Sequence, residues 1–164
     1  MIREAHMSPC GLYRYTLTRR WGEGPSLAWV MLNPSTADAD ADDATIRKCI
    51  GFTRRIGYHA LIVVNLFAFR ATDPAKMKTA ADPIGPDNDM IIHRVCGESP
   101  LIVCAWGRHG AAFGRAAEVM ARLDATCAPT VCWHINADGS PGHPLMLGYD
   151  RPLRPFGQMA GLLG

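Results

Sequence analysis

Two short turns carry the polar groups best suited to chemistry. Asn33-Pro34-Ser35-Thr36 leaves directly from the apolar run Leu27-Ala28-Trp29-Val30-Met31-Leu32, and Gly142-His143-Pro144-Leu145 comes late in the chain. Proline fixes φ and removes a backbone donor, so each turn holds its neighbouring side chain in one orientation. An asparagine amide has two donors and an acceptor, enough to hold a water or grip the edge of a planar base. A histidine nearby could donate to charge developing on a leaving group. The same residues have ordinary uses. Asn33 can close an Asx-turn, and His143 can sit on an exposed loop. Ser35 and Thr36 can offer hydroxyls and N–H groups to a phosphate, or simply shape the turn.

Asn65 ends a second apolar run, Ala60-Leu61-Ile62-Val63-Val64. A buried asparagine must be hydrogen-bonded, here by backbone or by a planar heterocycle. Leu145-Met146-Leu147 is apolar within a turn-like segment. Exposed, it can wedge into a base stack; buried, it is core. The pattern favours burial of Leu147 and exposure of Leu145 or Met146. Asp38, Asp40, Asp42 and Asp43 could ligate a divalent cation, as in a metal-dependent phosphohydrolase. They fail the calcium-loop pattern, which needs glycine where Asp43 stands and glutamate where Cys49 stands. A solvated, helix-capping loop is the better reading.

These residues need elements to hold them. Tyr13-Trp21 alternates and predicts an N-terminal strand. Buried strands are expected near 26–32, 60–66, 101–106 and 130–135, the last containing His134. Helices are expected over 44–56 with Asp43 as N-cap, from Pro86 or Asp87 to Cys96, over 110–123, and briefly near Gln158-Leu163. Strand and helix alternate from residue 26 to 135. The expected fold is a three-layer α/β/α sandwich with a largely parallel four-stranded central sheet, plus the N-terminal strand. Ligands of such sheets bind beyond the carboxyl ends of the strands, where Asn33, Asn65 and Trp106-Gly107 fall.

The chain of 164 residues, 48% hydrophobic, is expected to form a single domain over 1–164. No run approaches the ~18 apolar residues of a membrane span, and the N-terminus has no apolar signal core. A cytosolic protein with no membrane partner is expected. Six cysteines occur without a C-x-x-C pair, so a zinc or iron–sulfur site is not expected. Cys104 and Cys132 lie in strand-like runs and read as buried thiols. Net charge is +2, which excludes a general polycation, yet 14 of the 17 basic residues are arginine. Arginine binds phosphate bidentately and stacks on bases, although a compositional bias would produce the same skew. Arg14, Arg19, Arg20, Arg47, Arg70, Arg108, Arg151 and Arg154 are the candidate phosphate contacts.

The ordered set Leu32-Asn33-Pro34-Ser35, Val64-Asn65-Leu66-Phe67-Ala68-Phe69-Arg70, Ala105-Trp106-Gly107 and Gly142-His143-Pro144-Leu145 resembles a bacterial domain family of unknown function. More distantly it is similar to the uracil-DNA glycosylase superfamily. That superfamily has an N-P-G turn after its first core strand, an asparagine after the second, and a late His-Pro turn. The resemblance implies that Asn33 positions the attacking water and that His143 is catalytic. It implies base recognition by Asn65 with Phe67 and Trp106. It implies DNA phosphate contacts from Ser35, Thr36, Arg70, Gly107, Arg108 and Gly142, and a DNA wedge at Leu145 and Met146. Ser35 stands in place of Gly, and Leu145 in place of Ser. These departures point away from uracil, toward a damaged or modified base such as one in a phage genome. The expected partner is duplex DNA with its target base flipped out. The expected state is a monomer, with no metal or cofactor. A non-catalytic nucleic-acid or nucleotide-binding module is the alternative.

Overall fold

The computed structural model describes residues 1–157. The helix expected near Gln158-Leu163 lies outside the described residues. Seven strands form one sheet: β1 (Ile2–Met7), β2 (Arg14–Arg20), β3 (Leu27–Met31), β4 (Ala60–Asn65), β5 (Ile102–Cys104), β6 (Thr130–Cys132) and β7 (Arg154–Pro155). Their spatial order is β1-β2-β4-β3-β5-β6-β7. The four expected core strands are present and pair in parallel as β4-β3-β5-β6. The edges differ from expectation. β1, β2 and β7 pair antiparallel, so the sheet is mixed, with three parallel and three antiparallel pairings. β1 and β7 were not anticipated. β1 is mostly exposed and β7 is a two-residue exposed strand, so neither leaves a buried apolar pattern.

The central strands read as continuous apolar runs because both faces are covered. Leu27, Trp29 and Met31 of β3 pack on one face with Ile46, Cys49, Ile50 and Phe52 of helix α1 (Ala44–Arg55). Ala28 and Val30 pack on the other. There they meet Ile91, Ile92 and Val95 of helix α3 (Asn88–Glu98), and Val119 and Leu123 of helix α4 (Arg115–Asp124). A short helix α2 (Pro74–Lys78) precedes α3. Burying a large apolar side chain contributes roughly 1.5–3 kcal/mol, whereas a cap contributes about 1 kcal/mol. Packing of its apolar stripe thus outweighs the Asp43 cap of α1, in which Oδ1 accepts from the Ile46 N–H at 2.8 Å. The helix expected over 110–123 begins only at Arg115, because Phe113 and Gly114 both take positive φ and break the run.

The connections create the crevice. The chain leaves β3 through α1 to reach β4 on one side. It leaves β5 through α4 to reach β6 on the other. Since α1 and α4 cover opposite faces, the loops after β3 and β5 part at the carboxyl edge.

The end of β4 is fastened from behind. Asn88, fully buried at the start of α3, donates Nδ2 to the carbonyls of Asn65 at 2.9 Å and Leu66 at 3.2 Å. Arg115, fully buried at the start of α4, donates Nε to Leu66 O at 2.7 Å. Asp89 Oδ1 lies 2.7 Å from its Nη2, an ion-pair distance though off the N–H axis. Glu118 Oε1 accepts from its Nη1 at 3.0 Å. Replacing Asn88 by alanine strips a donor from two buried carbonyls. We expect Asn88→Ala to lose about 1–3 kcal/mol in denaturant unfolding. A loss below roughly 0.5 kcal/mol, the range of an ordinary surface change, would remove this clamp from the account.

Candidate active site

A cleft of about 780 Å³ opens at the carboxyl edge. The structure brings Asn33, Ser35, Thr36, Asn65, Trp106, Gly107, Arg108, Gly142, His143, Leu145 and Met146 to its lining. Two candidates fall elsewhere. Phe67 is fully buried in the core, where its ring meets Phe113 edge-on at 6.2 Å. The backbone explains this. β4 ends at Asn65, and beyond it the successive N–H groups of Leu66 and Phe67 donate to the successive carbonyls of Met31 and Leu32; this breaks the two-residue alternation, so Phe67 joins Val64 and Leu66 in the core, on the opposite face from Val63. Arg70 is half-buried beside the cleft rather than lining it.

Asn33 comes off β3 at the crevice. Its Nδ2 donates to Ala71 O at 2.7 Å and to Pro34 O at 3.1 Å. Two carbonyl partners require the nitrogen at that position, so the amide orientation is forced and Oδ1 remains as an acceptor. The Asx-turn alternative does not form, since Oδ1 accepts from no N–H of the turn among the described residues, and the shorter Nδ2 bond reaches across to the loop after β4.

Asn65 is the least ordinary residue of the site. It is 1% exposed, and among the described residues neither Oδ1 nor Nδ2 has a hydrogen-bond partner. Leaving such a group unpaired costs about 1–3 kcal/mol. Its backbone is clamped by Asn88, so the side chain stays where it is.

His143 caps a single turn of 3₁₀ helix, Pro144–Met146, and its Nδ1 accepts from the Leu145 N–H at 3.2 Å. That bond requires a bare Nδ1, which places the ring proton of the neutral form on Nε2. Burial pushes the His143 pKa below the usual histidine value, and the nearby Asp43 carboxylate opposes this only in part. The turn is tied to α1 by Lys48, whose Nζ donates to Leu147 O at 2.6 Å. Met146 projects at the tip with 89% exposure, Leu145 is exposed, and Leu147 is buried, as expected.

Two glycines let backbone enter the site. Gly107 takes φ +74°, a conformation L side chains rarely adopt, and its N–H donates to Pro141 O. A Cβ on Gly142 would stand 2.9 Å from the Cβ of His134. The fourth core strand ends at Cys132, so His134 lies on the loop and not in the strand. It is half-buried in the cleft lining, its Nδ1 2.9 Å from Arg151 Nη1.

The sequence read His134 as a strand residue and did not single out Asn136, yet both line the cleft. Asp43 lines it too, and the sequence named it as a helix cap and, in the alternative reading, as a cation ligand. The acidic loop is committed elsewhere. Asp42 holds Arg19 at 2.7 Å and Arg3 at 3.0 Å, Asp38 accepts from the Asp40 and Ala41 N–H groups, and Asp43 caps α1. Among the described residues, no three His, Cys, Asp or Glu side chains converge as a metal site would require. Cys49, Cys96, Cys104 and Cys132 are buried, while Cys10 and Cys127 are exposed; all six are free. No helix among the described residues is long and apolar enough to cross a membrane.

Residues 14–145 match a family model described as a protein of unknown function, DUF1643. The chain belongs to the DUF1643 family. The match takes in Asn33, Asn65, Trp106 and His143 together, so most of the cleft lining lies within the family domain, with Met146, Leu147 and Arg151 just beyond it. No curated protein and no solved structure matches the chain.

The tautomer of His143 is directly measurable. We expect its nitrogen resonances to report the Nε2–H form and a pKa below the usual ~6.5. The sign for stability follows. The unfolded chain takes up the proton more readily, so the contribution of neutral His143 is present above the usual histidine range. It is lost as pH falls through and below that range. An Nδ1–H tautomer, or titration at or above the free-histidine value, would contradict the geometry.

Proposed function

We propose that this chain is a monofunctional DNA glycosylase that hydrolyses the N-glycosidic bond of a damaged or modified base. The observation that carries this reading is Asn65: a rigidly held, buried amide with both atoms unpaired in a cleft lining. An amide so placed is complementary to the donor–acceptor edge of a nucleobase, which would remove the cost of its burial. Parallel β4-β3-β5-β6, with Asn33, Asn65 and His143 on loops at its carboxyl edge, supports the resemblance to the uracil-DNA glycosylase superfamily.

The chemistry needs few parts. Glycosidic cleavage passes through an oxocarbenium-like state. The bond electrons leave with the base, which takes up negative charge. Neutral His143 presents Nε2–H to that charge, a preorganised donor of the kind typically worth ~3 kcal/mol of barrier. Asn33 Oδ1 accepts from a water and orients its oxygen toward the sugar carbon. The water forms the new C–O bond, and its proton passes through solvent to the departed base anion, which leaves neutral. The base must first leave the stack, which costs a few kcal/mol and selects weakened or modified pairs. Exposed Met146, with Leu145, is placed to fill the gap in the stack.

Single-turnover release of base from duplexes carrying modified bases tests this. Asn33→Ala and His143→Ala should each slow release by on the order of 100-fold, with DNA affinity largely kept. Asn65→Ala should change which base is accepted. If both former variants release base at the parent rate, the mechanism is wrong. DNA binding without base release from any duplex would leave only a binding module.

Several of the candidate arginines are committed within the protein. Arg19 is enclosed and paired to Asp42, Arg20 clamps the Gly22–Ser26 turn, and Arg47 holds Asp42 O. Arg108 and Arg151 are exposed on the cleft rim. Replacing either should lower the salt slope of DNA binding by roughly 1. A slope unchanged by both would place the DNA elsewhere.

A further inference from the structure

Three arginines are buried, and their partners set one apart. Arg19 donates Nε to Asp42 at 2.7 Å, and Arg115 pairs with Asp89 at 2.7 Å and Glu118 at 3.0 Å. Arg14, at 3% exposure, has no carboxylate within 4.0 Å among the described residues. Its Nη1 donates to Ala37 O, while its buried Nε has no partner. A guanidinium carries five N–H donors, so most of this group is uncommitted. It lines the same cleft as Asn65, Asn33 and His143.

The surroundings sharpen the contrast. Burial pushes the Arg14 pKa down to about 10, with the Arg70 charge acting in the same sense and Asp43 opposing it. Arg70 also has a buried Nε without a partner among the described residues. Asp43 lines the cleft but is occupied as the cap of α1. A buried cation lacking a close counter-charge is costly unless an anion completes it.

We propose that Arg14 forms an oxyanion-binding subsite within the cleft, taking an anionic group carried on the bound nucleotide: its phosphate, or an acidic substituent on its base. The backbone of an intact duplex cannot reach a side chain so enclosed; only a group inserted into the cleft can. A guanidinium matches the two oxygens of a phosphate or carboxylate with parallel N–H bonds. A cleft of about 780 Å³ has room for a nucleotide bearing a substituent. The subsite rests on cleft geometry alone, whereas assigning its anion to a nucleotide rests on the glycosylase reading.

Binding, not base release, is the test, so the two readings fail separately. The Arg14 Nε–H resonance of isotope-labelled protein is followed against inorganic phosphate, deoxycytidine, deoxycytidine monophosphate and deoxycytidine carboxylated on its base. Inorganic phosphate should shift that resonance. At least one anionic nucleoside should bind on the order of tenfold or more tightly than deoxycytidine. Arg14→Gln should abolish this advantage and Arg14→Lys should keep part of it. An advantage for the monophosphate assigns the anion to the phosphate, and one for the carboxylated nucleoside assigns it to the base. If no anion shifts the resonance, the subsite is refuted. It is equally refuted if Arg14→Gln binds every probe as the parent does. Should Arg14→Gln fail to fold, the resonance of the parent protein decides.

Discussion

The cleft depends on how the carboxyl end of β4 is held. A parallel strand normally ends in free carbonyls that water or a loop must satisfy. Here the carbonyls of Asn65 and Leu66 are taken by side chains from two helices on one face, Asn88 of α3 and Arg115 of α4. The adjoining N–H groups of Leu66 and Phe67 donate to Met31 and Leu32 at the end of β3. The backbone is thus fixed from both sides, and the Asn65 side chain has no competing use. A buried amide on a mobile loop would collapse onto the nearest carbonyl. Held this way, it stays available at a standing cost.

The same logic orders the rest of the site. Asn33 spends both amide hydrogens on Ala71 and Pro34, which keeps its oxygen free. His143 spends Nδ1 on Leu145, which keeps Nε2–H free. In each case a backbone bond decides which end of an ambiguous side chain faces the cleft. Arg14 lies at the other extreme, with charge to spare and little to use it on. The trade between structural bonds and unspent polarity is what distinguishes this cleft from the charged but satisfied network of Arg19 and Asp42.

Much of this was legible in the sequence. The core strands were readable because burial on both faces makes them continuous apolar runs, and α1 because Asp43 is a strong cap before an apolar stripe. Asn33, Asn65 and His143 stood out because each follows a strand or sits in a proline-stiffened turn. Other features were hidden for physical reasons. Phe67 looked like a base-stacking residue because strand alternation would set it on the face of Asn65, but the alternation breaks where β4 ends and Phe67 turns to the core with Leu66. Arg14 was one arginine among fourteen, because sequence does not say which cation lacks a carboxylate. Asn88 was invisible, since its role is long-range and its partner is backbone. β1 and β7 were missed because exposed edge strands owe little to apolar pattern.

The electrostatic arrangement limits what reaction the cleft can serve. A histidinium at position 143 would lose the Leu145 bond and bring a charge into a half-buried position, where burial disfavours it. The neutral ring avoids both costs and still donates. On the proposed glycosylase reading, such a site suits an anion that appears during reaction, not a cation or a proton transfer that needs a charged acid. The atom proposed to orient water, Asn33 Oδ1, is an uncharged amide oxygen, too weak a base to take a proton from water early. In that proposal bond breaking runs ahead of water attack, leaving the sugar cationic before the new bond forms. A dissociative cleavage of this kind is what a glycosidic bond to a good leaving base undergoes. Substituents that stabilise negative charge on the base would speed it, and so would an anchor holding the nucleotide as that bond lengthens. Among the described residues Arg14 is a fully enclosed cation in the cleft lining with no carboxylate partner, and in the proposal it would supply such an anchor.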